Sequence, residues 1–156
     1  MVRKSHQILP QILNRLRERK VVDRQNRKSV RGMKKECCTN PTFIEFRGYK
    51  SYCEVYLDEF CIKTKTGDNC VSIHGNVALV RNLVRSDADD WVIYEKFSSL
   101  EPFFVEPLCS ADLSVQKVSK LDGILRKTKL SAVNHKYVML PFGHLSWVAI
   151  PLLHVG

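Results

Sequence analysis

The residue types best suited to metal binding or nucleophilic chemistry are the cysteines and histidines, and four of them, Cys53, Cys61, Cys70 and His74, fall in one short stretch. Thiolate and imidazole are zinc ligands, but zinc frameworks bring their cysteines in pairs two to four residues apart. The gaps of seven and eight residues between the three cysteines lack that form. Buried structural thiols are the favoured reading, and neither a metal nor a cofactor is expected. In the zinc alternative, Cys37 and Cys38 would be additional ligands. A second set, Cys109-Ser110 near Asp112 with His135, His144 and His154 downstream, contains the types of a Cys/His nucleophile pair. Nothing in the spacing fixes their geometry. No phosphate-binding glycine loop, nucleophile elbow, His-Glu-x-x-His or paired-carboxylate motif occurs, and the seven glycines are dispersed. The sequence therefore reads as non-enzymatic.

The stronger signal is electrostatic. Residues 1–35 carry twelve Lys or Arg against Glu18 and Asp23, a balance of +10. Residues 36–156 carry thirteen basic and fourteen acidic residues, a balance of −1. A localised excess of this kind binds polyanions or serves as a targeting signal. In a helix, Arg17, Lys20, Arg24, Arg27 and Arg31 stand three or four residues apart and share one narrow arc. Such a stripe could follow a phosphate backbone, with electrostatic affinity and little sequence readout. The bland reading is that ten Lys or Arg among residues 15–35 give a stripe by number alone. A nuclear import signal needs no such geometry. Tyr49, Tyr52, Tyr56 and Tyr94 could stack on bases, with core packing their more ordinary duty. Lys117 and Lys120, in the near-neutral remainder, are the expected non-contacting comparison.

No secretory signal is expected, because the apolar patch Ile8 to Leu13 is short and interrupted by Pro10. The thiols are accordingly expected reduced. The most apolar stretch, Tyr137 to Val155, contains Pro141, Gly143, His144, Ser146 and Pro151 and falls short of a membrane span. The expected location is nuclear. A mitochondrial presequence is the alternative, since the first twenty residues are Arg-rich with Glu18 as their one acid.

The elements that must position these residues divide the chain into a basic helical arm (1–36), a linker (37–41) and a β-rich domain (42–156). Leu, Arg, Lys, Glu and Gln dominate residues 9–35, which favours helix, and Ile8, Ile12 and Leu16 would line one face. Asn40-Pro41 turns the chain away from helix. Thr42 to Arg47 and Tyr49 to Leu57 alternate as strands, and Phe60 to Lys65 with Cys70 to His74 forms a hairpin candidate around Thr66-Gly67-Asp68-Asn69. Val77 to Val84 reads as a buried strand, with a short helix as the alternative, and Trp91 to Phe97 reads as a strand. Residues 98–112 read as a loop whose Phe103 and Phe104 tuck into the core. Leu113 to Val118, His135 to Leu140 and Trp147 to Leu152 complete the strands, with Gly143-His144 as a turn. The expected fold is mainly β with an N-terminal α-helix, the strands forming a small antiparallel barrel or sandwich.

The succession GNVALVRNLV (75–84), KFSSLEPFFVEPLCS (96–110), LSVQKVSKL (113–121), HKYVMLPF (135–142) and WVAIPLLH (147–154) resembles a C-terminal module of uncharacterised invertebrate proteins associated with mobile elements or zinc-finger chains. The resemblance covers roughly the last 80 residues. It implies a β-rich domain of DNA-associated descent and carries no catalytic residues. This sequence lacks a two-cysteine, two-histidine finger, so no DNA-contacting residue transfers. The expected function is thus nucleic-acid association, DNA before RNA, through the basic segment. The alternative is a protein-interaction β-module whose basic segment only localises it.

Overall fold

The computed structural model describes residues 30–37 and 43–152. They are mainly β, built from ten antiparallel strands: β1 (Val30–Cys37), β2 (Lys50–Leu57), β3 (Cys61–Lys63), β4 (Cys70–Ile73), β5 (Asn76–Arg85), β6 (Asp90–Pro102), β7 (Gln116–Leu121), β8 (Arg126–Lys129), β9 (Val133–Pro141) and β10 (Ser146–Pro151). Three single 3-10 turns, Ile44–Phe46, Ser110–Leu113 and Leu130–Ala132, complete the elements, with no α-helix among the described residues.

The strand order is β1-β2-β5-β4-β9-β10-β7-β6-β8, and β6 also pairs with β5. Successive ladders therefore lead from β5 through β4, β9, β10, β7 and β6 back to β5. Each of these six strands contributes one buried side chain to a common cluster: Cys70, Val77, Phe97, Val118, Tyr137 and Ala149. The second and larger cluster lies on the other side of β4 and β5, where Val71, Ile73, Ala78, Val80 and Leu83 meet Val55, Leu57, Phe60 and Ile62. Strict alternation explains how β5 serves both: Val77 faces the first cluster, Ala78 and Val80 the second. The run Val77 to Val84 is continuously apolar apart from Arg81 and Asn82 because it is covered on both faces. The register shifts between Val80 and Asn82. Buried Asn82 is satisfied there, its Nδ2 donating to Ser51 Oγ (3.2 Å) and its Oδ1 accepting from Leu83 N (2.9 Å).

The structure corrects the sequence reading at four places. Residues 30–35 are strand rather than helix, and their antiparallel ladder with β2 runs from Val30↔Leu57 to Cys37↔Ser51. Helix propensity is a weak prior, and the pairing overrides it: Val30 and Met33 pack on the core, while Lys35 and Arg31 reach Glu54 and Asp58 on or beside β2. The expected helix over residues 9–29, the linker residues 38–41 and Cys38 lie outside the described residues. Residues 43–47 are a turn, not a strand, because Phe43 and Phe46 at a three-residue spacing pack together at 6.2 Å and Phe46 reaches Trp91 at 5.6 Å. β3 and β4 do not pair with each other, since β3 lies on β2 and β4 between β5 and β9. Finally, β6 continues to Pro102, and Phe103 and Phe104 emerge at the surface.

Candidate functional site

The residues singled out as metal ligands or nucleophiles are dispersed by this topology. Cys53 on β2 is joined to Cys37 on β1 by a disulfide, with Cα atoms 6.0 Å apart, where reduced thiols were expected. Cys61 Sγ donates to Ile62 O (3.8 Å), and Cys70 lies in the cluster shared by β4, β5, β6, β7, β9 and β10, its thiol pKa pushed up to about 12 by burial. Such a thiol stays protonated at neutral pH, which makes it a poor nucleophile. His74 stands in the β4–β5 turn with Nε2 3.1 Å from Thr128 Oγ1. No group of three His, Cys, Asp or Glu arranged to hold a metal occurs among the described residues. Cys109 precedes the 3-10 turn Ser110–Leu113, which contains Asp112, His135 pairs with Ser72 in the β4–β9 ladder, and His144 sits in the β9–β10 turn. His154 lies outside the described residues.

Of the basic stripe, Arg17, Lys20, Arg24 and Arg27 lie outside the described residues. Arg31 is on β1, where its Nε donates to Asp58 at 2.8 Å. It is thus not in helical register with the others. Neighbouring cations are likewise engaged: Lys35 donates to Glu54 at 2.6 Å, and Lys34 lies 4.9 Å from the Tyr56 ring centre. The bond from Lys35 holds the nearly buried Glu54 carboxyl below its ordinary pKa. Tyr52 packs against the larger core cluster, Tyr49 and buried Tyr94 also join core clusters, and the Tyr56 hydroxyl donates to Glu54 at 3.0 Å.

What the fold does bring together is a shelf and a groove where the ends of β6, β7, β9 and β10 meet. Phe103 and Phe104 follow β6 directly, and Phe142 opens the β9–β10 turn. Phe103 stands edge-on to Phe142 at 5.2 Å and to Phe104 at 6.1 Å. Yet these rings remain exposed at 41, 39 and 43%, and Leu145 beside Phe142 in the turn at 73%. Val105 and Leu140 are also exposed. Contiguous exposed apolar groups of this kind mark interaction sites.

The shelf is held from beneath. Ser110 is fully buried, and its Oγ accepts from Phe103 N (2.7 Å) and Phe104 N (3.2 Å), while its own N–H donates to Phe104 O (2.8 Å). Phe142 is fixed by the turn: its N–H donates to Ser146 O at 3.0 Å, and the Ser146 hydroxyl donates to Phe142 O. Beside the shelf runs an open groove of about 620 Å³ lined by Ser99, Glu101, Lys117, Lys120, His144 and Trp147 among others. Lys117 links the two features, its Nζ standing 5.4 Å from the Phe142 ring centre. Two groove residues are non-glycine residues in the left-handed region, Lys120 (φ 53°) and Leu145 (φ 63°). That conformation is uncommon for a bulky side chain and collects at binding sites. Ser98 Oγ donates to Lys120 O at 2.8 Å and secures the first.

Residues 34–152, from within β1 to just past β10, match a domain of unknown function, DUF8592. The chain belongs to this family. No curated protein and no solved structure matches it. The DUF8592 span takes in every residue of the shelf and groove, together with the last four residues of β1.

The sequence reading that tucks Phe103 and Phe104 into the core hides the shelf, because both are exposed. The available signal was positional: Phe103-Phe104-Val105 lies between Pro102 and Pro107, and Leu145 follows Gly143-His144. Apolar residues in turn-forming surroundings are candidates for exposure.

Proposed function

We propose that the DUF8592 domain is a non-enzymatic protein-interaction module whose binding surface is the shelf of Phe103, Phe104 and Phe142 with Leu145 at its margin. The observation that carries this reading is the exposure of three contacting rings over a hydrogen-bonded support at Ser110. Rigid aromatic groups lose little conformational freedom on binding and dominate interface energetics. The basic segment then serves as a localisation signal. Selection of a random-peptide display library on the full chain tests the reading. Peptides selected on the native protein should bind Phe103→Ala or Phe142→Ala about tenfold or more weakly, as truncation of an aromatic anchor does. Peptides bound equally well by both variants would refute it.

A second reading, nuclear nucleic-acid association with DNA preferred, rests on the +10 balance of residues 1–35. With Arg31 held by Asp58, the phosphate-contacting set becomes Arg17, Lys20, Arg24 and Arg27. Electrophoretic binding to unrelated duplexes at two salt concentrations tests it. Affinity that depends on salt and is indifferent to sequence supports it, and salt-insensitive binding removes it.

A further inference from the structure

The shelf and the groove share a border, and their chemistries differ. The shelf is apolar. The groove holds two ammonium groups, those of Lys117 and Lys120, against the single carboxylate of Glu101. Several cations elsewhere in the domain are matched by acids, Arg81 with Glu95, Arg85 with Asp90, Arg126 with Asp122, Lys129 with Asp89 and Lys136 with Asp68, whereas the groove brings two unmatched ammonium groups to one place. Neither Lys117 nor Lys120 takes part in an ion pair among the described residues, although Glu101 stands opposite Lys117 in the β6–β7 ladder. The backbone at Lys120 is held in a left-handed conformation, which sets that residue at the groove rather than in the regular alternation of β7.

Resting on the reading of the shelf as a protein-binding surface, we infer that its partner is an acidic, apolar peptide segment, with large apolar side chains on Phe103, Phe104 and Phe142 and carboxylates met by Lys117 and Lys120. Charge complementarity decides among the occupants. The chain's own residues 1–29 carry nine Lys or Arg against two acids and would bring like charge to the two lysines. A single-stranded nucleic acid would offer phosphates to the lysines, but base stacking needs open ring faces. Here the rings stand edge to face at 5.2 and 6.1 Å, and exposed Val105 and Leu145 add aliphatic rather than stacking surface. An acidic peptide satisfies both halves of the surface. Such complementarity sets specificity and association rate more than total affinity.

The test uses peptides selected from a random display library on the full chain, resynthesised with a fluorophore and titrated by anisotropy. The selected sequences should be enriched in Asp or Glu next to aromatic or large aliphatic residues. Replacing Lys117 and Lys120 by Gln together should weaken binding about three- to tenfold at 50 mM NaCl, and the loss should shrink at 500 mM as charge is screened. Converting the peptide's acids to amides should cost a similar factor on the native chain and little more on the double variant, a coupling that a merely structural role of the lysines would not produce.

Peptides without acidic enrichment, or indifferent to the lysines yet abolished by Phe103→Ala and Phe142→Ala, would overturn the charge assignment and leave the shelf reading standing. Peptides indifferent to the phenylalanine variants would remove the shelf reading itself. Failure to select any peptide, or binding of a short oligothymidylate that is lost in the same lysine and phenylalanine variants, would overturn the peptide proposal. So would peptide binding gained only when Ile12 and Leu16 of the native chain are changed to Glu, because the chain's own segment would then be the occupant.

Discussion

Replacing Ser110 by Ala removes one buried oxygen, and the structure states what depends on it. Its Oγ accepts from the backbone N–H groups of Phe103 (2.7 Å) and Phe104 (3.2 Å), and no side-chain volume beyond the hydroxyl is lost. A donor left unsatisfied in a buried place costs roughly 1–3 kcal/mol. Both phenylalanines lie at the surface, so water can reach at least one of the freed donors, and the expected total is about 2 kcal/mol rather than twice the upper figure. For a chain of this size that corresponds to a fall in Tm of about 4–8 °C. The bond from Ser110 N to Phe104 O and that from Val115 N to Ser110 O survive the change, so the sheet should keep its cooperativity. Calorimetry of the full chain gives the stability change, and amide exchange at residues 103 and 104 gives its location. Faster exchange confined to that loop, with a modest drop in Tm and weaker peptide binding, is the predicted set. An unchanged Tm with unchanged exchange would refute the claim that Ser110 holds the shelf. Global loss of the fold would refute the magnitude.

Other outcomes follow from the same geometry. Opening Cys37–Cys53, by dithiothreitol or by Ser at both positions, should cost about 3 kcal/mol for a loop of this length, or about 6–12 °C in Tm; an unchanged melt would show that the β1–β2 ladder holds without the bridge. Burial raises the pKa of Cys70 and Tyr137 in the fold. Their contribution is therefore complete below the unfolded values of about 9 and 10 and is lost as pH rises towards the folded ones. Denaturant titrations should show stability falling above pH 9, and Cys70→Ala should flatten part of that fall. Glu54 runs the other way: its pKa is lowered chiefly by the hydrogen bond from Lys35, so its contribution is present above about 4.5 and is lost as pH falls through the depressed value. Glu54→Gln should blunt the acid limb of the stability curve. For the nucleic-acid reading, four phosphate contacts predict a slope of log affinity on log salt near −3.6, at about 0.9 per contact. Arg31→Gln should leave that slope in place.

The parts of the fold legible in the sequence are those where local pattern and tertiary role agree. Val77 to Val84 and Trp91 to Phe97 are β-branched or aromatic runs bounded by turn residues, and they form the two long central strands. β1 was not legible, because Lys34, Lys35 and Glu36 are good helix formers whose strand conformation comes from the ladder with β2, where Lys35 meets Glu54 and Glu36 meets Lys50. β8, Arg126–Lys129, carries no apolar residue and is held by its ladder with β6 and by pairs such as Lys127 with Glu45 and Lys129 with Asp89. The site was the least legible part. Phe103 and Phe142 lie 39 positions apart in sequence, and Lys117, which looked like an ordinary surface charge, acquires its role only by standing beside the ring of Phe142.

The central claim is that this domain binds through the shelf at the ends of β6, β7, β9 and β10. An NMR titration of the full chain with a display-selected peptide, following backbone amides and phenylalanine ring signals, tests it most directly. The predicted result is saturable shifts concentrated in residues 99–105, 117–121 and 140–147, including the rings of Phe103, Phe104 and Phe142. Shifts concentrated instead in residues 30–37 or 50–57, with those rings unmoved, would contradict it.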